Sequence, residues 1–423
     1  MTHASLPVSV AIACGGTGGH LYPGLAVAEE CQRRGCAVTL LVSPKAVDQR
    51  AVEGLQDVAV VTLPGAGWQS GSRLACCLGF VRSYRLVRRL MAGQLPAGAV
   101  REDGRAGDGT DASAAQPVGR PGPLLTRPSA VLGMGGFTSG PPLLAARRCG
   151  VATFLHESNA IPGRTNRWLA RLVDGCFTGF KSAAARLPVQ TVRVTGTPVR
   201  RRFALAPAAT ARAALGLEPD RPVVLVVGGS QGAVGLNRAV MAALPEFARL
   251  EPAAQWIHLT GEHEFDKVRS AYAAAGLKAL VLPFCDTMEV PLAAASVAIS
   301  RAGASFLAEL AAMRLPAVLV PFPAAADDHQ WHNARQFELS GAATLLEQRD
   351  ATPPILVARV REWLNDPARR ARARAALAGW HCPRAAADIV ETLLQKAAVG
   401  QPGRSPELHC AGPAQTGYSP GVA

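Results

Sequence analysis

Short runs of continuously apolar, often β-branched residues recur along this chain, each followed by a glycine-rich turn and then by apolar residues at helical spacing. Six runs fill the first half: Ser9–Cys14, Val38–Ser43, Val58–Leu63, Ala130–Met134, Ala152–Glu157 and Thr191–Gly196. Five fill the second: Val223–Val227, Gln255–Thr260, Ala279–Phe284, Ser296–Ser300 and Ala317–Pro321. Runs this short without polar alternation fit parallel strands buried on both faces, with helices as crossovers. Each series opens with a glycine-rich loop, so the pattern predicts an α/β protein with two Rossmann-like, doubly wound domains side by side.

The intervening helices carry their own punctuation. After the first run, Pro23 is expected in the opening turn, Leu25, Val27 and Ala28 supply apolar surface, and Arg33-Arg34-Gly35 forms a basic last turn with a glycine stop. The stretch from Ser139 to Gly150 repeats this grammar. The boundary between domains is expected near Thr197–Pro198, giving an N-terminal unit over residues 1–199 and a C-terminal unit over 200–380. Two stretches read as linker or tail: residues 95–128, with five Pro and six Gly, and residues 400–423.

Composition narrows the class. The chain has 423 residues, 49% hydrophobic and 18% charged, which excludes a wholly disordered protein. Lys and Arg number 44 against 31 acids, a net charge of +13 that suits an anionic partner without choosing one. Ten cysteines lack CxxC spacing, and several lie in apolar stretches, so a reducing cytoplasm fits better than a disulfide framework. The opening MTHASLPVSV has no basic-then-apolar leader. The longest charge-free stretch, Pro222 to Asn237, is interrupted by four glycines and is too short to span a bilayer. A soluble or peripherally attached protein is expected.

Four loops follow predicted strands and open predicted helices: residues 15–20 (GGTGGH), 133–141 (GMGGFTSGP), 228–233 (GGSQGA) and 300–305 (SRAGAS). Glycine lets a backbone approach a ligand closely, while free N–H groups and the helix dipole attract negative charge. Four such loops in matching positions point to a diphosphate-bearing ligand between the domains. No GxxxxGK[ST] is present, the first loop is not GxGxxG, and no acid ends the second run. P-loop phosphoryl transfer and nicotinamide binding are therefore poor fits.

Polar residues border these loops: His20, the run His156-Glu157-Ser158-Asn159, Arg301, Glu309, and Asp327-Asp328-His329-Gln330. All lie at carboxyl ends of strands, where open α/β sheets bind ligands. Glu157 is equally read as a hydrogen-bond anchor for its own loop, and Asp327 or Asp328 as a helix cap. His258, His263 and His332 read as surface or helix residues. No histidine and acid spacing suggests a metal site, and no RNP, zinc-finger or helix-turn-helix signature suggests nucleic acid.

Seven segments, GGTGGHLYPGLAVAEE, GMGGFTSGPPLLAA, HESNAIPGRTNRWLA, TGTPVR, GGSQGAVGLN, ISRAGASFLAELAAMRLPAVLVP and ADDHQWHNA, resemble those of the MurG family, in the same order. The likeness runs over roughly residues 8–396, apart from 95–128. It implies a GT-B fold, two Rossmann-like domains facing a cleft, with residues 381–399 forming a C-terminal helix that packs back on the first domain. It also implies an inverting transfer of GlcNAc from UDP-GlcNAc to the C4 hydroxyl of MurNAc in undecaprenyl-pyrophosphoryl-MurNAc-pentapeptide (lipid I), forming lipid II, with no cofactor or metal.

By position, the resemblance makes His20 the base. Thr17, Gly18 and Gly19 lie by the donor sugar and acceptor phosphates, and Asn159 and Gln330 read the GlcNAc. Arg200 and Cys285 lie near the uracil, and Glu309 binds the ribose. Ser230 and the stretch Ala304, Ser305, Phe306, Leu307, Ala308 approach the donor diphosphate. Three positions depart from the pattern: Phe306 where a small hydroxyl residue is usual, Ser158 for a Gln, and Val234 for an Arg.

Arg73 to Met91 contains five Arg and no acid. On a helix, Phe80, Tyr84, Val87 and Met91 share a face expected inward, while Leu74, Leu78 and Val81 form a second strip beside Arg82 and Arg85. Apolar residues rimmed by arginine suit an anionic bilayer, and a lipid-linked acceptor places the enzyme on the cytoplasmic face of a bacterial plasma membrane. Two alternatives stay open: a GT-B enzyme acting on another lipid such as diacylglycerol, and a nucleotide-sugar binding protein without turnover.

Overall fold

A computed structural model describes residues 8–64, 73–94, 127–189, 191–229 and 232–399. Within them the chain forms two wholly parallel sheets. The first contains β1 (Ser9–Ala13), β2 (Ala37–Val42), β3 (Val58–Thr62), β4 (Ala130–Gly133), β5 (Ala152–Glu157), β6 (Gly175–Thr178) and β7 (Val192–Val194), in the order β3-β2-β1-β4-β5-β6-β7. The second contains β8 (Val223–Val227), β9 (Gln255–Leu259), β10 (Ala279–Leu282), β11 (Val297–Ser300), β12 (Ala317–Leu319) and β13 (Ala343–Leu345), in the order β10-β9-β8-β11-β12-β13.

Burial explains why the strands carry no polar alternation. Val10 and Ile12 point into one apolar layer and Ala11 and Ala13 into the other, all four fully buried. In β8, Val224 and Val226 divide from Val223, Leu225 and Val227 in the same way. A period of two with helices on both faces makes every position a core position.

Several details correct the sequence expectation. β6 and β13 were not anticipated, because GCFT opens on small residues and ATL is only three residues long. The Thr191–Gly196 run narrows to β7, since Gly196 adopts φ +81° as the chain leaves the sheet. Pro23 lies inside helix Gly18–Arg33 rather than in its opening turn. His258, expected on a surface or a helix, is fully buried on β9. Its ring sits 3.1 Å from Asn237 Oδ1 and 3.2 Å from the Tyr272 hydroxyl, and burial pushes its pKa down to about 3. Residues 400–423 and most of the 95–128 stretch lie outside the described residues.

The chain crosses between the domains twice, over residues 195–207 and 381–384. The last helix, Ala385–Val399, lies on the first sheet, where Ile389, Val390 and Leu393 join the layer of Val10, Ile12 and Leu132. Arg193 Nη1 donates to Thr392 Oγ1 at 2.8 Å and Arg34 Nη2 to the Ala387 carbonyl at 3.2 Å. The two crossings touch: a Cβ on Gly196 would fall 2.4 Å from the Cβ of Cys382, so only glycine fits. Beside them Phe180 packs 5.4 Å from Trp380, which stacks on Phe337 at 4.6 Å.

Candidate functional site

In each sheet the order of strand addition reverses beside the first strand, between β1 and β4 and between β8 and β11. Ligands of doubly wound sheets bind in these crevices, at the carboxyl ends of the strands. All four glycine loops follow these four strands. The helices they open, starting at Gly18, Gly140, Val234 and Ala304, have no side-chain cap and no acid in the first turn. At Gly18, Val234 and Ala304 the first N–H groups and positive dipole ends are left to an anion, whereas in the helix at Gly140 the first N–H donates to the Phe137 carbonyl and Pro141 and Pro142 have none to offer.

The first loop is held from three sides. Gly16, at φ +108°, donates its N–H to Asp48 Oδ2 at 2.6 Å, and its carbonyl accepts from Lys45 Nζ at 2.8 Å. The Gly15 carbonyl accepts from Thr138 Oγ1, tying the loop to its neighbour after β4. Asp48 is fully buried and also takes the Ser43 N–H. Sequence reasoning passed it over, because one acid on a seven-residue helix reads as a surface residue.

His20 is the third residue of the helix, its Nδ1 3.1 Å from Thr17 Oγ1. Its ring lies against Gly135 and Gly136, both at positive φ, where a Cβ would come within 3.1 and 3.0 Å of ring atoms. Burial pushes its pKa down to about 4; Asp48 opposes this, while His329 and Lys45 add to it. The imidazole is neutral at pH 7, with His329 approaching from the second domain.

After β5, Glu157 anchors its own loop, the bland reading of that carboxylate. It accepts from Asn159 N at 2.8 Å, Asn159 Nδ2 at 3.1 Å, Gly163 N at 3.0 Å and Asn166 Nδ2 at 2.8 Å. Burial raises its pKa and those hydrogen bonds oppose the rise. His156 is likewise structural, bridging the Gly196 carbonyl and Ser158 Oγ. Asp327 caps nothing; it pairs with Arg164 at 3.1 Å and Arg167 at 3.3 Å across the domain boundary.

Gln330 is also held in one orientation. Its Oε1 accepts from Ala302 N at 3.3 Å and Phe322 N at 3.0 Å, so Nε2 is the end left to a ligand. Three residues on, Asn333 is fully buried and bonds to both domains, a role the sequence did not disclose.

In the second domain, Ala304, Ser305 and Phe306 open helix Ala304–Ala312 and have amides without an intrahelical acceptor. The Leu307 amide donates to the Gly303 carbonyl and its side chain lies in the core, so Leu307 offers the cleft no group of its own. Ala308 follows on the partly exposed side. Glu309 is buried, and no hydrogen bond or ion pair among the described residues engages its carboxylate. Burial raises its pKa to about 7 against the pull of Arg200 and Arg202.

Arg200 lies over the Tyr22 ring at 4.4 Å and the Phe203 ring at 5.2 Å. Cys285 lies in the loop after β10, its thiol 3.7 Å from Thr287 Oγ1. A cavity of about 320 Å³ opens between the domains beside them, lined by Tyr22, Glu29, Arg50, Arg200, Arg202 and Asp286 among others. His20 is not among the residues that line it. Ser230 lies outside the described residues.

Helix Arg73–Met91 buries Ser83, Val87, Leu90 and Met91. Leu74, Leu78 and Val81 are exposed at 76%, 55% and 43%, beside exposed Arg82 and Arg85. Phe80, expected inward, is split: its ring edge lies over Gly140 while 38% of it stays exposed. Among the described residues no helix is long and apolar enough to cross a membrane.

Comparison with known proteins places these features in context. Residues 223–391 match the glycosyltransferase family 28 C-terminal domain, and residues 10–105 and 125–178 the glycosyltransferase family 28 N-terminal domain. A UDP-N-acetylglucosamine–N-acetylmuramyl-(pentapeptide) pyrophosphoryl-undecaprenol N-acetylglucosamine transferase of Anaeromyxobacter dehalogenans is 35% identical over 393 residues, covering 91% of this chain and 92% of its own. One of the same name from Alkalilimnicola ehrlichii is 36% identical over 394 residues, covering 93% and 100%. The crystal structure of Acinetobacter baumannii MurG superposes with a TM-score of 0.65 at 27% identity, over 92% of this chain and all of that one.

Proposed function

This chain belongs to glycosyltransferase family 28 as a MurG-type N-acetylglucosaminyltransferase, and from that premise we propose how its residues move GlcNAc from UDP-GlcNAc to the C4 hydroxyl of MurNAc in lipid I, forming lipid II. The observation that carries the reading is the set of three helix N-termini with free first-turn amides at the two points where the strand order reverses, with a neutral histidine on one of those helices.

The acceptor hydroxyl attacks the anomeric carbon as the bond to UDP breaks, in one in-line step. His20 takes the proton. For that, Nδ1–H must donate to Thr17 Oγ1, leaving Nε2 bare, and the 3.1 Å separation suits this tautomer. A base near 4 is weak, yet two diphosphates raise it, because nearby negative charge favours the imidazolium. The amides of Gly18 and Gly19 receive the acceptor's diphosphate. Those of Ala304, Ser305 and Phe306 receive the donor's and stabilise it as it leaves, with Leu307 and Ala308 continuing the helix whose dipole supports them.

Asn159 and Gln330 present N–H groups to the GlcNAc. Glu309 accepts the ribose hydroxyls, Arg200 covers the uracil and the Cys285 backbone meets its edge, with Ser230 approaching the diphosphate. Leu74, Leu78 and Val81 dip into an anionic bilayer with Arg82 and Arg85 at the headgroups, which seats the enzyme peripherally on the cytoplasmic face of the plasma membrane.

The test is transfer of labelled GlcNAc to a lipid I analogue with diacylglycerol as competitor. A β-1,4-linked disaccharide on the lipid I analogue is expected. Measurable UDP-GlcNAc binding without that product refutes the assignment.

A further inference from the structure

We propose that Asn333 is a positioning residue for donor-sugar recognition, acting from the second domain through Asn159 of the first. The inference rests on the reading of Asn159 as a GlcNAc contact. Asn333 is fully buried. Two backbone groups fix its carboxamide: Oδ1 accepts from Ala160 N at 2.8 Å, and Nδ2 donates to the Ala302 carbonyl at 3.1 Å. The second Nδ2 hydrogen goes to Asn159 Oδ1 at 3.0 Å. Because one partner is an obligate donor and another an obligate acceptor, the amide has only one workable orientation.

That orientation passes on to Asn159. Its Oδ1 faces the Asn333 NH2, and its Nδ2 donates to Glu157 Oε1 at 3.1 Å. A flipped Asn159 would set oxygen against the Glu157 carboxylate and NH2 against NH2. One Nδ2 hydrogen is left over on a side chain that is only partly buried, so Asn159 meets the cleft as a hydrogen donor. Asn333 also ties this to the donor side, since Ala302 stands two residues before Ala304, where the diphosphate-binding helix begins. The aromatic cluster of Phe180, Phe337 and Trp380 holds the same boundary closed around it.

The experiment measures binding of UDP and of UDP-GlcNAc by calorimetry, with no acceptor present. Asn333→Asp keeps the bond to Ala160 but turns an oxygen towards Asn159 and Ala302; Asn333→Ala removes all three bonds. Thermal melts establish that each variant is folded, and a folded Asn333→Ala suffices if Asn333→Asp is not. We expect UDP-GlcNAc affinity to fall about tenfold or more while UDP affinity changes less than about twofold. In an Asn159→Ala background the same substitution should cost less than a further twofold or so, because the two act as one unit. Equal loss for both ligands makes Asn333 merely structural and overturns the proposal, as does unchanged preference for UDP-GlcNAc. If Asn159→Ala alone leaves that preference intact, the reading of Asn159 fails instead.

Discussion

With Glu309 as the proposed ribose acceptor, donor binding should depend on pH in a calculable way. Its carboxyl is buried, and burial raises its pKa to about 7 despite Arg200 and Arg202 nearby. The proposed contact has the carboxylate accept one ribose hydroxyl on each oxygen, and protonation turns one of those oxygens into a donor. With a pKa of about 7, roughly nine in ten molecules are ionised at pH 8 and roughly one in ten at pH 6. The affinity for UDP-GlcNAc should therefore fall about tenfold between those values, about 1.4 kcal/mol, the cost of drawing on a smaller competent fraction.

The sign follows from the shift. Bound hydroxyls stabilise the charged form, so binding lowers this pKa and expels a proton, about half a proton per site at pH 7. Calorimetry in two buffers of different ionisation enthalpy reads that proton directly. UDP-GlcNAc is the right probe because its diphosphate is esterified at both ends and does not titrate here, and His20, at about 4, is already neutral. Glu309→Gln should bind more weakly at pH 8 and lose the slope. A flat parental profile from pH 5.5 to 8.5, or an unchanged slope in Glu309→Gln, would refute the reasoning.

His20→Ala should lower kcat about 10²- to 10⁴-fold with the KM for UDP-GlcNAc within about threefold; turnover near the parent's removes the base assignment. Replacing Leu74, Leu78 and Val81 with Ser should weaken sedimentation with anionic vesicles about tenfold while transfer to a water-soluble acceptor is unchanged, and undiminished sedimentation contradicts the membrane strip. His156 and His258 are fully buried, with pKa values pushed down to about 4 and about 3. The unfolded chain binds their protons first, so stability is complete above about pH 6.5 and drains away as pH falls towards 4, about 2 kcal/mol per histidine by pH 5. Urea midpoints at pH 7 and pH 5 check this, and equal midpoints would exclude it.

The sheets were legible because parallel strands buried on both faces leave an unbroken apolar signature, as in VVLVV of β8. β6 and β13 lacked it, being short and built partly from small residues. The glycine loops announced themselves, since an approaching backbone requires glycine. Asp48 and Asn333 did not, because each matters through partners far along the chain, Gly16 in one case and Ala160 in the other. His258 misled because a polar residue within an apolar run reads as an exit from the core. Its satisfaction depends on Tyr272, fourteen residues later on another element.

The return of helix Ala385–Val399 to the first sheet means that the two halves cannot be separated by a single cut. An N-terminal fragment ending near residue 200 would bare the apolar faces that Ile389, Val390 and Leu393 cover. A chimera with another nucleotide-sugar enzyme must accordingly exchange an inner segment and keep both ends of the chain from one parent. Its two junctions would fall where Gly196 meets Cys382, and that pair should be carried over together, because no other residue at 196 leaves room for its partner.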